Sequence, residues 1–177
     1  MRLLRAAERI ARPWKNGGGV TREVSVWPEA AGLDDFLWRV SIAEVASAGP
    51  FSRFDGIDRT LAILEGCMAL VFEDGAVQLD AASAPFAFPG DVACCGTPVG
   101  GAVTDLNVMT RRGRACASVE RATQGVAGNG KTLVVAPTTA IIHAGVFEQP
   151  LERFDAVLFD APVRFRLNAM AFVIRMD

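Results

Sequence analysis

Short apolar runs, cut every few residues by glycine or proline, fill this chain and leave no room for a long helix. Val20-Thr21-Arg22-Glu23-Val24-Ser25-Val26-Trp27 alternates, which predicts a strand with Val20, Arg22, Val24 and Val26 on one face and Thr21, Glu23, Ser25 and Trp27 on the other. Phe36–Ala43 reads as a second strand, and Arg59–Gly66 and Cys67–Phe72 as a third and fourth. Glu73-Asp74-Gly75-Ala76 is a turn signal leading into Val77-Gln78-Leu79. Further strands are expected at 84–88, 92–95, 102–109, 115–121, 132–136, 139–147, 156–160, 163–167 and 170–175. Pro89-Gly90, Pro98, Gly100-Gly101, Pro137, Pro150 and Pro162 punctuate them. One helical turn is expected at 150–154, and a weak helix or edge strand at 2–9. So many short strands predict an all-β sandwich or barrel.

At 177 residues and 51% apolar content, the chain can bury one substantial core or two small halves of one unit. A weak internal echo bears on the second possibility. Thr60-Leu61-Ala62-Ile63-Leu64 resembles Thr132-Leu133-Val134-Val135-Ala136. Gly90-Asp91-Val92-Ala93 with Thr97-Pro98-Val99 resembles Phe154-Asp155-Ala156-Val157 with Ala161-Pro162-Val163. Two related β-halves, about 1–121 and 131–177, would be joined by a glycine-containing connector at 122–130; chance similarity between β-rich segments is the competing reading.

Composition excludes several classes. A formal charge of −2 gives no basis for nucleic acid or an anionic membrane as partner. Charges interrupt every long apolar run, Met1–Arg9 included, so neither a transmembrane helix nor a signal peptide is expected. Cys67, Cys94, Cys95 and Cys116 lack C-x-x-C spacing and read as reduced, buried thiols of a cytoplasmic protein rather than a vicinal Cys94–Cys95 disulfide. His143 is the single histidine and reads as a strand residue, so no histidine-rich metal site is expected and no cofactor is implied. No G-x-S-x-G is present for a Ser-His-Asp triad. Trp14, Trp27 and Trp38 read as core.

Trp14-Lys15-Asn16-Gly17-Gly18-Gly19 has the look of a phosphate loop, but its lysine precedes the glycines and no G-K-[ST] follows. Polar residues instead gather in three places. Lys15 and Asn16 stand before the strand positions Thr21 and Glu23. The loop 49–58 enters an apolar strand at Arg59. Asp105 and Asn107 share one strand face by their spacing of two. Lys15 and Arg59 could hold a carboxylate, Arg59 through its bidentate fork. Asn16, Asp105 and Asn107 could read an amide or formyl group. The structural alternative is that Arg59 pairs with Asp58, Glu23 or Asp105 in an ion network.

Pro13-Trp14-Lys15-Asn16-Gly17-Gly18-Gly19-Val20-Thr21-Arg22-Glu23 resembles the opening signature of the HutD/Ves family. Phe36–Ala43, Gly49-Pro50-Phe51-Ser52, Gly56-Ile57-Asp58-Arg59-Thr60, Phe88-Pro89-Gly90-Asp91 and Asp105–Arg112 extend the resemblance, in order, over residues 10–112. It implies a single cupin-like (RmlC-type) jelly-roll β-sandwich unit over 1–177, of the bicupin kind with two β-halves. Family members are linked to bacterial histidine utilisation. The resemblance implies binding of a small acidic metabolite, of the urocanate or formylglutamate type, in a metal-free pocket of polar and basic residues. On the matching blocks the ligand-binding residues would be Lys15, Asn16, Thr21, Glu23, Arg59, Asp105 and Asn107.

Two alternatives stand beside binding. An isomerase or hydrolase of such a metabolite would use Glu23 or Asp105 as acid/base and Lys15 as electrophilic stabiliser. A protein-interaction module would use a sheet edge or apolar face. A homodimer is compatible with each.

Overall fold

Strand follows strand from Arg2 to Met176 in the computed structural model, which describes residues 1–177. In chain order these are β1 Arg2–Leu4, β2 Ala11–Pro13, β3 Gly19–Trp27, β4 Trp38–Val45, β5 Gly49–Pro50, β6 Ile57–Glu65, β7 Cys67–Phe72, β8 Gly75–Asp80 and β9 Phe86–Pro89. Then come β10 Cys95–Pro98, β11 Val103–Arg111, β12 Ala117–Ala127, β13 Lys131–Val135, β14 Ala140–Ala144, β15 Phe147–Leu151, β16 Ala156–Phe159 and β17 Val163–Met176. One 3-10 turn, Ala6–Glu8, is the only helical element, and every strand pairing is antiparallel. No helix is long and apolar enough to cross a membrane.

The chain divides into two units, Ile10–Ala115 and the combination of Met1–Arg9 with Cys116–Asp177. In the Ile10–Ala115 unit a six-stranded sheet runs β2-β3-β4-β11-β6-β9 and a four-stranded sheet runs β5-β10-β7-β8. The three middle strands of the larger sheet, β4, β11 and β6, are buried along most of their length on both faces. One apolar cluster joins Ala43, Leu61, Ile63, Phe88 and Val103 to Met68, Leu70 and Leu79 of the smaller sheet. A second holds Val26, Phe36, Ile57 and Met109.

In the other unit β17 pairs with β12, β13 and β14 in a seven-stranded sheet. Its apolar cluster packs Val134, Ile142, Leu151, Val157 and Val173 around Phe159 and Phe165, whose rings stack at 5.5 Å, while Thr132 and Asp155 are buried in the same unit.

Several expectations are corrected. The 122–130 segment is no connector: strand β12 continues to Ala127, its Gln124, Gly125 and Val126 pairing with Arg166, Phe165 and Arg164. Ladder pairing there outweighs the cost of ordering a glycine, and the chain changes unit at 115/116 instead. The 139–147 run is two strands split by a turn at Gly145. The 150–154 turn of helix is absent, because Pro150 and Leu151 end β15. The 163–167 and 170–175 strands are one, carried across by β12, β13 and β14. The 92–95 strand begins only at Cys95, where β7 and β5 supply partners. Residues 2–9 hold both a strand and a 3-10 turn. Alternation in β3 fails at a bulge between Glu23 and Ser25, so that Val24, Ser25 and Val26 are buried in succession. Trp38 is core, whereas Trp27 is 40% exposed. All four cysteines are free thiols, but only Cys94 is buried.

One buried carboxylate ties the N-terminal residues into their unit. Asp155 is 1% exposed; it accepts hydrogen bonds from the Ala6 N–H at 2.7 Å, from Arg5 Nη1 at 2.6 Å and from the Glu152 N–H at 2.9 Å. Burial alone would raise its pKa, but these donors hold it below the ordinary carboxylate range. Removing the acceptor strands two backbone N–H groups. Asp155→Ala is expected to cost about 2–4 kcal/mol of unfolding free energy, read by urea denaturation. A change under about 0.5 kcal/mol, that of an ordinary surface substitution, would remove the anchoring role.

Candidate functional site

The chain reaches the site through the glycine triplet. Gly17 has φ of +71°, the left-handed region that a tight turn uses. A Cβ on Gly19 would lie 2.5 Å from the Glu44 carbonyl oxygen and 3.1 Å from the Trp14 ring, so only glycine lets the indole lie against this strand. Asn16 Oδ1 accepts from the Gly18 N–H at 3.0 Å and closes the turn, and Trp14 Nε1 donates to Thr21 Oγ1 at 2.8 Å. Asn16 and Thr21 thus hold the turn and the indole in place. Lys15 is exposed on that turn and forms no ion pair.

Register then sets the polar groups in rows on one face of the six-stranded sheet, since directly opposed residues share a face. One row reads Val26, Arg39, Met109, Arg59, Phe88 across β3, β4, β11, β6 and β9. The next reads Glu23, Ser41, Asn107, Leu61, Phe86. The third reads Thr21, Ala43, Asp105, Ile63. Thr21, Glu23, Arg59, Asp105 and Asn107 therefore share one face, and Lys15 and Asn16 stand apart from it.

Arg59 is the centre of this face. It is 4% exposed, and its guanidinium lies 4.8 Å from the Phe51 ring, 5.2 Å from Phe88 and 6.0 Å from Phe54. Its hydrogen bonds are long: Nε to Asn107 Oδ1 and Nη1 to the Ser52 carbonyl, each 3.4 Å. Burial lowers its pKa to about 10, Asp105 opposing that shift, so it stays cationic at neutral pH. Asp105 is 2% exposed, and burial pushes it up to about 7 against the pull of Arg59. A carboxyl poised there can hold or give up a proton in the physiological range.

Arg39 and Ser41, both buried, belong to the same face and are not among the residues singled out from sequence. Arg39 Nε donates to Glu23 Oε2 at 2.8 Å, which takes Glu23 away from Arg59. The signal for Arg39 was its spacing of two from Ser41 in the otherwise apolar run Phe36–Ala43. Cys94 is the third addition: burial pushes its thiol up to about 11, so it lines the site as a neutral group. Asp58 pairs with Arg112, not with Arg59; Arg112 also bridges to Asp91, and Arg111 donates to the Phe36 and Asp34 carbonyls. No three His, Cys, Asp or Glu side chains gather with metal-holding geometry. His143 is in β14, its Nδ1 3.4 Å from Glu148 Oε2.

The sequence profile of the HutD family matches residues 6–173. Protein Ves of Citrobacter koseri is 40% identical over 116 residues, covering 60% of this chain and 56% of that protein. An uncharacterized 21.2 kDa protein in the hutC 3′ region of Pseudomonas putida is 38% identical over 114 residues, covering 62% and 57%. The chain spans a little over half the length of these curated relatives. The structure of HutD from Pseudomonas fluorescens SBW25 in a formate condition superimposes with a TM-score of 0.87 at 26% identity, over 99% of this chain and 97% of that one. A variant of Bacillus subtilis oxalate decarboxylase superimposes with a TM-score of 0.67 at 7% identity, over 99% and 76%. That second likeness concerns the fold alone, and it agrees with the expected all-β bicupin.

The Asp105 carboxyl gives the site a stability signature. Its folded pKa of about 7 lies above the unfolded value of about 3.9, so between those values the native state keeps a proton that the unfolded chain has lost. Its contribution therefore weakens the fold as pH rises from 4 through 7 and is constant above. Asp105→Asn is expected to flatten that slope and to unfold at higher urea than the parent at pH 8. Parallel urea midpoints for the two proteins from pH 4 to 8 would show that Asp105 ionises normally.

Proposed function

The chain belongs to the HutD family, and from that premise we propose that its polar sheet face binds a small carboxylate metabolite of histidine utilisation and that occupancy modulates the pathway. The observation that carries this reading is Arg59: a buried guanidinium whose own hydrogen bonds are both 3.4 Å long. Five N–H donors in a fixed fork are far from satisfied by two long contacts, and a carboxylate completes them. Asn107 gives its Oδ1 to Arg59, which leaves its amide N–H groups to donate to a formyl or carbonyl oxygen. The relative in the hutC 3′ region supports the tie to histidine utilisation.

Charge balance favours an anion. Glu23 answers Arg39, while Asp105 answers Arg59 only when ionised. With Asp105 protonated, Arg59 is uncompensated, and an anion beside it strengthens the hold of Asp105 on its proton. Binding is thus coupled to proton uptake.

N-formylglutamate, and formate more weakly, are expected to raise the melting temperature in proportion to the logarithm of ligand concentration. The gain should be larger at pH 6 than at pH 8.5, and Arg59→Met should lose it. An unchanged melting temperature at millimolar ligand, in a parent protein shown to be folded, would sink the reading.

Asp105 also favours a second reading, an isomerase or hydrolase in which this buried carboxyl serves as acid or base. Purified protein would then turn over such a metabolite, and Asp105→Asn would abolish turnover while retaining the ligand-induced melting shift. Binding without turnover excludes this reading and leaves the first intact.

A further inference from the structure

An open groove of about 770 Å³ lies on the unit formed by Met1–Arg9 and Cys116–Asp177, lined by Gln124, Val126, His143, Arg164 and Arg166 over Phe165. Its floor is three adjacent strands, β12, β17 and β14. Register sets Gln124, Arg166 and His143 in one row across them, and Val126 and Arg164 in the next. Arg164, Arg166, Gln124 and Val126 point to solvent, while the intervening Phe165 and Leu167 point into the core.

The two arginines are the unusual feature. Other arginines of this unit are engaged: Arg5 by Asp155, Arg175 by Glu120, and Arg153 over the Phe154 ring. The side chains of Arg164 and Arg166 take part in no ion pair or hydrogen bond. The nearest acid in the row, Glu148, is drawn to His143 at 3.4 Å. Two positions apart on one strand, the arginines stand about 7 Å from each other on the same face. Nine Lys and Arg against seven Asp and Glu make this unit net cationic, within a chain whose formal charge is −2. Long-range attraction in this unit thus favours an anion.

We propose that this groove is a second binding site, for a small ligand carrying two oxyanion groups, each taken by one guanidinium. Arg164 and Arg166 each present a planar fork suited to bidentate capture of a carboxylate or phosphate. The Gln124 amide and the His143 imidazole flank Arg166, and the amide adds N–H donors. A ligand with one oxyanion engages one fork only and binds more weakly. Arg59 and Asp105 belong to the other unit.

His143 is the only histidine, so its imidazole Cε1–H resonance in proton NMR reports on this groove alone. The experiment titrates the full chain with glutarate, pyrophosphate and acetate at fixed pH and fixed ionic strength. A saturable shift is expected with glutarate, pyrophosphate or both, about tenfold tighter than with acetate because two forks engage rather than one. Saturation by one dianion alone assigns the groups as carboxylates or as phosphates. Arg164→Ala and Arg166→Ala should each weaken binding about tenfold, and both side chains are exposed, so neither change should disturb the fold. A linear drift of equal size with all three anions would mean solvated arginines and would overturn the proposal. So would saturation that survives the double variant.

Discussion

Arg59 buried beside Asp105 is the constraint on which the Ile10–Ala115 unit depends. Taking a guanidinium out of water is costly unless other groups replace the solvent. Here three phenylalanine rings take over part of that role, with Phe51 and Phe54 delivered by the loop between β5 and β6 and Phe88 by β9. Asp105 on β11 supplies a counter-charge only when it ionises, and its burial opposes that ionisation. Well-packed apolar residues at both positions would give an equal or more stable sheet. The pair is therefore hard to account for by stability, and its usefulness lies in the incompletely satisfied positive charge that it keeps inside the unit.

That constraint explains the division of labour among the polar motif residues. Many of them build the frame. Asn16 closes a turn, Thr21 holds an indole, Arg111 ties β11 to the segment before β4, and Arg112 joins Asp58 to Asp91. Others face the buried polar rows, and on the central strands they are spaced by two: Arg39 and Ser41, Asp105 and Asn107. The frame residues fix the sheet edge and its loops, and the sheet register then fixes the distances among the buried ones. A site built in this way is stiff, because moving one polar group requires a whole strand to slip.

The period-two alternation and the Gly/Pro punctuation made the all-β class legible in the sequence, and the spacing of Asp105 and Asn107 correctly put both on one face. Lys15 shows where local reading stops. Adjacency to Asn16 and the glycines suggested a binding residue, but whether a turn residue points to solvent is decided by the packing of Trp14 beneath it. Arg39 shows the converse: a charge in an apolar strand reads as solvent-facing until the register sets it opposite Met109. The bulge at Val24 and the continuity of β12 depend on partners distant in sequence, which no local pattern encodes.

The two units place their polar chemistry differently. The interior of Ile10–Ala115 mixes apolar clusters with buried Arg39, Ser41, Arg59 and Asp105, so its ligand chemistry is internal and desolvated. The interior of the other unit is packed by Val134, Ile142, Phe159, Phe165 and Val173, with no polar row through it. Its buried polar residues are Thr132 and Asp155, neither of them cationic, and the unpaired guanidinium groups of Arg164 and Arg166 stand on its outer face. Internal charges act in a low dielectric and resist salt, whereas exposed ones are screened within about 8 Å at physiological ionic strength. Salt dependence therefore separates the two kinds of site on physical grounds: occupancy at Arg59 should persist at ionic strengths that empty a groove held by Arg164 and Arg166.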